Sequence, residues 1–285
     1  MRSIKYFFIL ALACLIISCG LVKTAYNNAP ALTAWWLDDY FDFRTEQNTI
    51  LKPALQDLHN WHRKNELPHY VALLNEIKGD FSQDLNADTT CQRIEAIKSN
   101  AHSLQIQSIP IIVEMAGTLT EKQLQHFKEK LEKRTEKWKE DWWQETKEEQ
   151  LSVRLEKSSD LAEKVYGDLS ETQINLLKER LAQSHVNPAI SYAEILRRNE
   201  DALGILKALQ NRALTTEEKF KLVNAGFERM QNSPNQPYED YANKITQQTC
   251  ETIASLHAST TAKQRLHARN WLDDYISQLN NLQIK

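Results

Sequence analysis

Glycine and proline are scarce in this 285-residue chain, which has six of the first and seven of the second. A β-rich fold uses many more of both in its turns, so the shortage excludes a sandwich or barrel and predicts long helices. The sequence holds no Gly-rich phosphate loop, no Gly-x-Ser-x-Gly nucleophile elbow and no cysteine with a clear catalytic partner. Excess basic charge is missing too: 35 Lys and Arg stand against 38 Asp and Glu, for a net charge of −3. Nucleic-acid binding needs a basic face, and this balance argues against it. The apolar run from Tyr6 to Ile17 falls well short of the about 20 residues that a membrane-spanning helix requires.

That run does suit a secretory signal, since Arg2 and Lys5 precede it as a basic n-region. Its end, Ile16-Ile17-Ser18-Cys19, resembles the lipobox of bacterial lipoproteins, with Ile16 where Leu is commoner. The resemblance implies diacylglyceryl transfer to the Cys19 thiol, cleavage just before it, and acylation of the new amine. Gly20, in a place where Asp would retain such a protein at the inner membrane, implies export to the outer membrane. Two or more acyl chains anchor firmly where one does not. The expected division is a signal peptide over 1–18, a lipidated tether over 19–33 and an all-helical domain over 34–285. Asn232 to Pro237, with two prolines, is the candidate break between lobes. Cys91 and Cys250 remain, and in an oxidising periplasm they are a candidate disulfide.

The expected architecture is all-α: a multi-helix bundle of long capped helices and helical hairpins. Thr45 to Asn65 reads as a helix with Leu51, Leu55, Leu58 and His62 on one stripe, and Pro53 predicts a late start or a kink. Leu67-Pro68 opens the next helix. A third, capped by Asp88 or Thr89, runs to Gly117 with Pro110 bending it. Leu119-Thr120-Glu121-Lys122-Gln123-Leu124 and Leu169-Ser170-Glu171-Thr172-Gln173-Ile174 are capping boxes with hydrophobic staples. Weaker boxes stand at Thr146, Thr215 and Thr261, and Asn187-Pro188 reads as N-cap and first helical position. Trp-Leu-Asp-Asp-Tyr occurs twice, at 36–40 and 271–275.

Three groups of residues invite a chemical reading. His59, His62 and Glu66 share a helix face, and imidazoles with a carboxylate suit a transition metal; a hydrogen-bonded core histidine is the plainer reading of His62. The pairs Asp38-Asp39 and Asp273-Asp274 offer carboxylates for acid–base work, although neighbours on a helix do not converge. Among the aromatics, Trp138 and Trp142 stand four apart and are expected in the core, leaving Trp143 exposed. Trp35 and Trp36, in the aromatic stretch near Cys19, either face lipid or fasten the segment to the core; with Trp143 they are the candidate binding surface.

Ala25-Tyr26-Asn27-Asn28-Ala29, Trp35 to Tyr40, Leu58 to Arg63 and Glu66 to Tyr70 together resemble a family of Gram-negative lipoproteins whose domain has no known function. That resemblance implies the lipid anchor and a helical domain, and no activity. Leu119-Thr120-x-x-Gln123 also resembles a signature of small periplasmic stress chaperones. The expected role is therefore a non-catalytic lipoprotein on the periplasmic side of the outer membrane, binding another envelope protein or glycan. No cofactor is expected beyond the lipid on Cys19. A membrane-tethered chaperone and a hydrolase built on the carboxylates or histidines are the alternatives.

Overall fold

The computed structural model describes residues 19–143 and 146–283, with side chains from residue 23 onward; the expected leader and the Cys19 side chain lie outside the described residues. Among the described residues there are twelve helices and no strand. They are α1 (Cys19–Asn27), α2 (Ala29–Phe41), α3 (Thr45–Asn65), α4 (Leu67–Asp80), α5 (Ala87–Ala116), α6 (Glu121–Trp142), α7 (Lys147–Tyr166), α8 (Glu171–Ala182), α9 (Pro188–Leu209), α10 (Thr216–Gln231), α11 (Gln236–Ala258) and α12 (Ala262–Gln283). No described helix is long and apolar enough to cross a membrane.

The 30-residue α5 is the spine, with α3, α4, α9, α10 and α11 all packed on it. Two regions of core flank it. One collects Ala34, Leu51, Leu55 and Met115 with Ile109, Leu209, Val223, Phe127 and Leu131, from α2, α3, α5, α6, α9 and α10. The other collects Ala162, Tyr166, Leu177, Leu256 and Ala268, from α7, α8, α11 and α12. Cys91 on α5 and Cys250 on α11 are bonded, with Cα atoms 5.4 Å apart. Gly226 lets α10 close on α9: a Cβ there would stand 2.3 Å from Ile205 Cδ1.

Helix starts follow local capping chemistry. Thr120, Thr146, Ser170 and Thr215 each accept from the backbone N–H three residues on, and the side chain at that third position accepts from the cap's own N–H. Thr261 and Gln264 do the same at α12. Two pairs of starts are then locked together. Gln47 and Gln123 exchange amide hydrogen bonds of 3.2 and 2.8 Å, and each also donates to the other's turn, at Thr118 O and Asp42 O. Gln173 and Gln264 repeat this with 3.1 and 3.0 Å bonds, donating to Ser259 O and Asp168 O. Each pair includes one turn made by a left-handed residue, Asp42 (φ 49°) or Gly167 (φ 76°).

Several expectations are corrected. Asn86, rather than Asp88 or Thr89, caps α5, accepting from Thr89 N at 2.8 Å. Its β-region backbone lets the side chain reach that amide. The α3 helix begins at Thr45 in spite of Pro53. Pro53 and Thr49, whose carbonyl it leaves unpaired, are both exposed, so water can serve that carbonyl. The buried stripe of α3 is Gln47, Leu51, Leu55 and His59, a strict four-residue step, while Leu58 and His62 are half-buried. Trp142 is as exposed as Trp143, at 39% against 38%, because α6 ends there; Lys157 lies 3.5 Å over its ring.

Candidate binding cavity

An apolar cavity of about 280 Å³ opens among α2, α3, α5, α6, α9 and α10. Its walls are Leu37 and Phe41 from α2, Ile111 and Met115 from α5, Phe127 from α6, Ile205 and Leu206 from α9, and Val223 and Phe227 from α10. Phe41 and Phe127 stack at 4.7 Å to form one wall. The helical periods of α9 and α10 explain the arrangement. On α9 the facing residues change from Arg198 and Asp201 to Ala202, Ile205 and Leu206, so charge lies at one end and hydrocarbon at the other. Met230, 38% exposed, borders the charged end from α10.

Around Arg198 and Asp201 runs a network of three arginines and two carboxylates. Glu194, 1% exposed, accepts from Arg197 (2.9 and 2.7 Å), from Arg198 Nε (2.8 Å) and from Ser233 Oγ (3.0 Å). Burial pushes the Glu194 carboxyl up, but these donors together outweigh it and hold the group below the usual carboxylate range. Arg229 grips Asp201 with bonds of 3.0 and 2.7 Å. The Ser233 bond also ties the turn at 232–235, the expected lobe boundary, onto α9.

A second polar cluster lies where α1, α3 and α4 meet. Tyr26 Oη bonds His62 Nδ1 at 2.9 Å, and Tyr70 Oη bonds His62 Nε2 at 3.2 Å. Arg63 donates to Asn27 Oδ1 at 2.7 Å and stands over the Tyr26 ring. His59 packs tilted against Tyr26 with ring centroids 4.6 Å apart, and neither of its ring nitrogens has a well-formed hydrogen bond. Both His62 nitrogens are thus engaged, and no group of three His, Cys, Asp or Glu among the described residues is placed to hold a metal. The expected His59, His62 and Glu66 ligand set does not assemble. His69 Nδ1, rather than a histidine of the set, lies 4.0 Å from the buried Glu66.

Burial, with His59 adding to it, lowers the His62 pKa to about 4, and burial pushes Tyr26 and Tyr70 up to about 12. The unfolded chain then binds a proton at His62 between pH 6.5 and about 4 that the folded chain does not. Stability from this group is complete above pH 6.5 and lost as pH falls toward 4. On the order of 2 kcal/mol is expected to disappear across that window, after allowance for residual solvent access. Melting curves of the parent and of His62→Gln at pH 7 and pH 4.5 check this: the parent's fall should be the steeper. Parallel falls would contradict it.

The other expected residues are dispersed. Trp35 is 69% exposed on α2, whereas Trp36 is half-buried and packs tilted against Tyr40 with ring centroids 4.6 Å apart. Trp143 meets the edge of Tyr192 at 5.6 Å. Asp38 accepts from Phe43 N at the end of its own helix, while Asp39 pairs with Lys130 on α6 and Asp273 pairs with Lys78 on α4 at 2.6 Å. Sequence reasoning missed Arg198, Glu194 and the buried His257. His257 accepts from Tyr166 Oη (3.0 Å) and donates to Gln83 O (2.8 Å). The charged spacing Glu194, Arg197, Arg198, Asp201 was the available signal, since it marks one face of α9.

Fold and cavity together define an all-helical protein, among its described residues, with an apolar chamber lined at one end by Arg198 and Asp201. The chain belongs to DUF6279, a family of unknown function, whose model matches residues 39–225, more than half of its length. The matched stretch runs from the end of α2 into α10 and takes in most of the chamber wall. No curated protein and no solved structure matches the chain.

Proposed function

We propose that this protein is a lipid-anchored lipoprotein on the periplasmic side of the outer membrane, and that its helical domain binds an apolar envelope component without transforming it. The observation that carries the binding role is the chamber itself. It offers hydrocarbon surface, and the charged groups in its lining are Arg198 and Asp201, the latter already held by Arg229. Such a lining supports retention of a ligand and supplies no poised acid or base. Leu32 and Trp35, exposed by 40% and 69% one turn apart on α2, support a membrane-facing anchor region, since Trp favours the lipid interface. The Leu119-Thr120-x-x-Gln123 stretch is accounted for by helix capping and by its bond to Gln47, so it adds nothing for a chaperone role.

Cys19→Ala is expected to move the protein from the membrane pellet into the soluble fraction; retention in the pellet would sink the anchor. For the binding role, a photo-crosslinking residue in place of Met230 in cells should capture a discrete non-self component, and the same residue at exposed Lys221 should not. Equal capture from both positions would count against the chamber.

A further inference from the structure

We propose that the chamber takes a single-chain anionic amphiphile, a medium-chain fatty acid, with its carboxylate on Arg198 and its chain running along α9. This rests on the chamber being the binding site.

The size suits one chain. A volume of about 280 Å³ holds on the order of ten water-sized groups, and a methylene is of that size; benzene fills a cavity of about 150 Å³. From Arg198 to Leu206, α9 advances about 12 Å, so the chamber is long enough for most of a ten-carbon chain. A second chain of equal length would need twice the room.

The charged end selects the head group. Arg197, Arg198 and Arg229 face Glu194 and Asp201, with Glu239 beside them on the Ser233 amide, so the charges balance and the head group is placed by whichever donor is free. That donor has an identifiable place. Arg229 is committed to Asp201. Arg197 is committed to Glu194, the Arg229 carbonyl and, at 3.7 Å, Asp201. Arg198 spends only its Nε on Glu194, and its two terminal nitrogens have no hydrogen-bond partner among the described residues. Glu194 and the face of Tyr238, 5.4 Å away, hold that guanidinium in position. A planar fork with two free donors, on a residue that lines an apolar chamber, matches a carboxylate better than a neutral or cationic head.

The test uses the full chain in its native membrane and a dodecanoic acid bearing a mid-chain diazirine, with the matching methyl ester, dodecyl phosphate and an apolar peptide as comparison probes. After irradiation, labelled peptides are mapped by mass spectrometry. The acid is expected to label peptides containing Met115, Ile205 or Phe227 about tenfold more than the ester, the ratio that about 1.4 kcal/mol at the head group produces. Arg198→Ala should bring the acid down to the ester's level, and Arg198→Lys should fall between, since it keeps the charge and loses the fork. Ala202→Phe should abolish labelling by both. Retention of the Cys91–Cys250 bond and of the helical signal shows that each variant is folded; if Arg198→Ala is not, Arg198→Lys carries the comparison. Equal labelling by acid and ester, or stronger labelling by the phosphate, overturns the fatty-acid assignment and leaves the chamber as a binding site. Labelling by the peptide alone, or by no probe in a folded chain, overturns both.

Discussion

Replacing Cys91 and Cys250 together by alanine is expected to lower the melting temperature by about 10–20 °C. The bond closes a sequence separation of 159 residues, and restricting an unfolded loop of that length stabilises the fold by about 5 kcal/mol on the chain-entropy account. For a chain of this size, each kcal/mol moves the midpoint by about 2–4 °C. The location argues against much compensation. Cys91 is near the start of the spine helix α5, and the fully buried Cys250 is on α11, so the bond holds the first half of the chain to the last fifty residues. Circular dichroism melts of the oxidised parent, the reduced parent and the double variant test this. The last two should coincide and both should lie well below the first. A double variant melting with the oxidised parent would show that α5 and α11 hold together without the bond.

The parts of this fold that were legible in the sequence are those set by neighbours within five residues. Thr120 with Gln123, Thr146 with Glu149, Ser170 with Gln173 and Asn187 before Pro188 each state where a helix begins, and the chain begins its helices there. The phase of α3 was misread because two neighbours compete for it. His62 was assigned to the core stripe, yet Tyr26 and Tyr70 hold it at the edge while His59 is buried beneath. Residue 26 is on α1, and nothing near position 59 announces it. Trp142 failed for the converse reason: its spacing from Trp138 is right for packing, but the helix ends before a partner helix reaches it.

The candidate site was less legible still. Phe41, Met115, Ile205 and Val223 look alike from sequence whether they fill a core or line a chamber; the difference is a gap left by six helices that meet over long separations. The buried state of Glu194 depends on Ser233 and on two arginines of its own helix. An i, i+3, i+4, i+7 set of charges ordinarily marks a solvated face, and here two of its members, Arg198 and Asp201, border an apolar chamber.

Gln123→Glu is expected to destabilise the protein by about 3 kcal/mol at neutral pH, although the change is nearly isosteric. The reason is visible in which residue follows each cap. At the α7 and α10 starts the third residue is Glu149 or Glu218; it only accepts, from Thr146 N and Thr215 N, and both boxes are exposed. At the α3, α6, α8 and α12 starts it is Gln, because there the side chain must also donate. Gln123 accepts from Thr120 N at 3.0 Å while its amide nitrogen donates to Asp42 O and to Gln47 Oε1. A carboxylate keeps the first role and turns the other two into contacts between acceptors in a site where Gln47 is 1% and Gln123 5% exposed. Lost bonds of about 1 kcal/mol each, with the cost of stranded acceptors, give the expected total. Urea unfolding of Gln123→Glu, Gln47→Met, Gln123→Met and the Gln47→Met/Gln123→Met pair separates the contributions. The double replacement should cost less than the sum of Gln47→Met and Gln123→Met singly by about 1–2 kcal/mol, since each single change strands the partner that the double removes. Gln264→Glu should behave like Gln123→Glu, because Gln264 donates to Asp168 O and Gln173 Oε1 in the same way. Glu218→Gln, at a start with no partner helix, should leave the unfolding curve nearly unchanged. If Gln123→Glu were as mild as Glu218→Gln, the paired starts would be held by their apolar neighbours, Leu119 and Leu124, and not by the amide exchange.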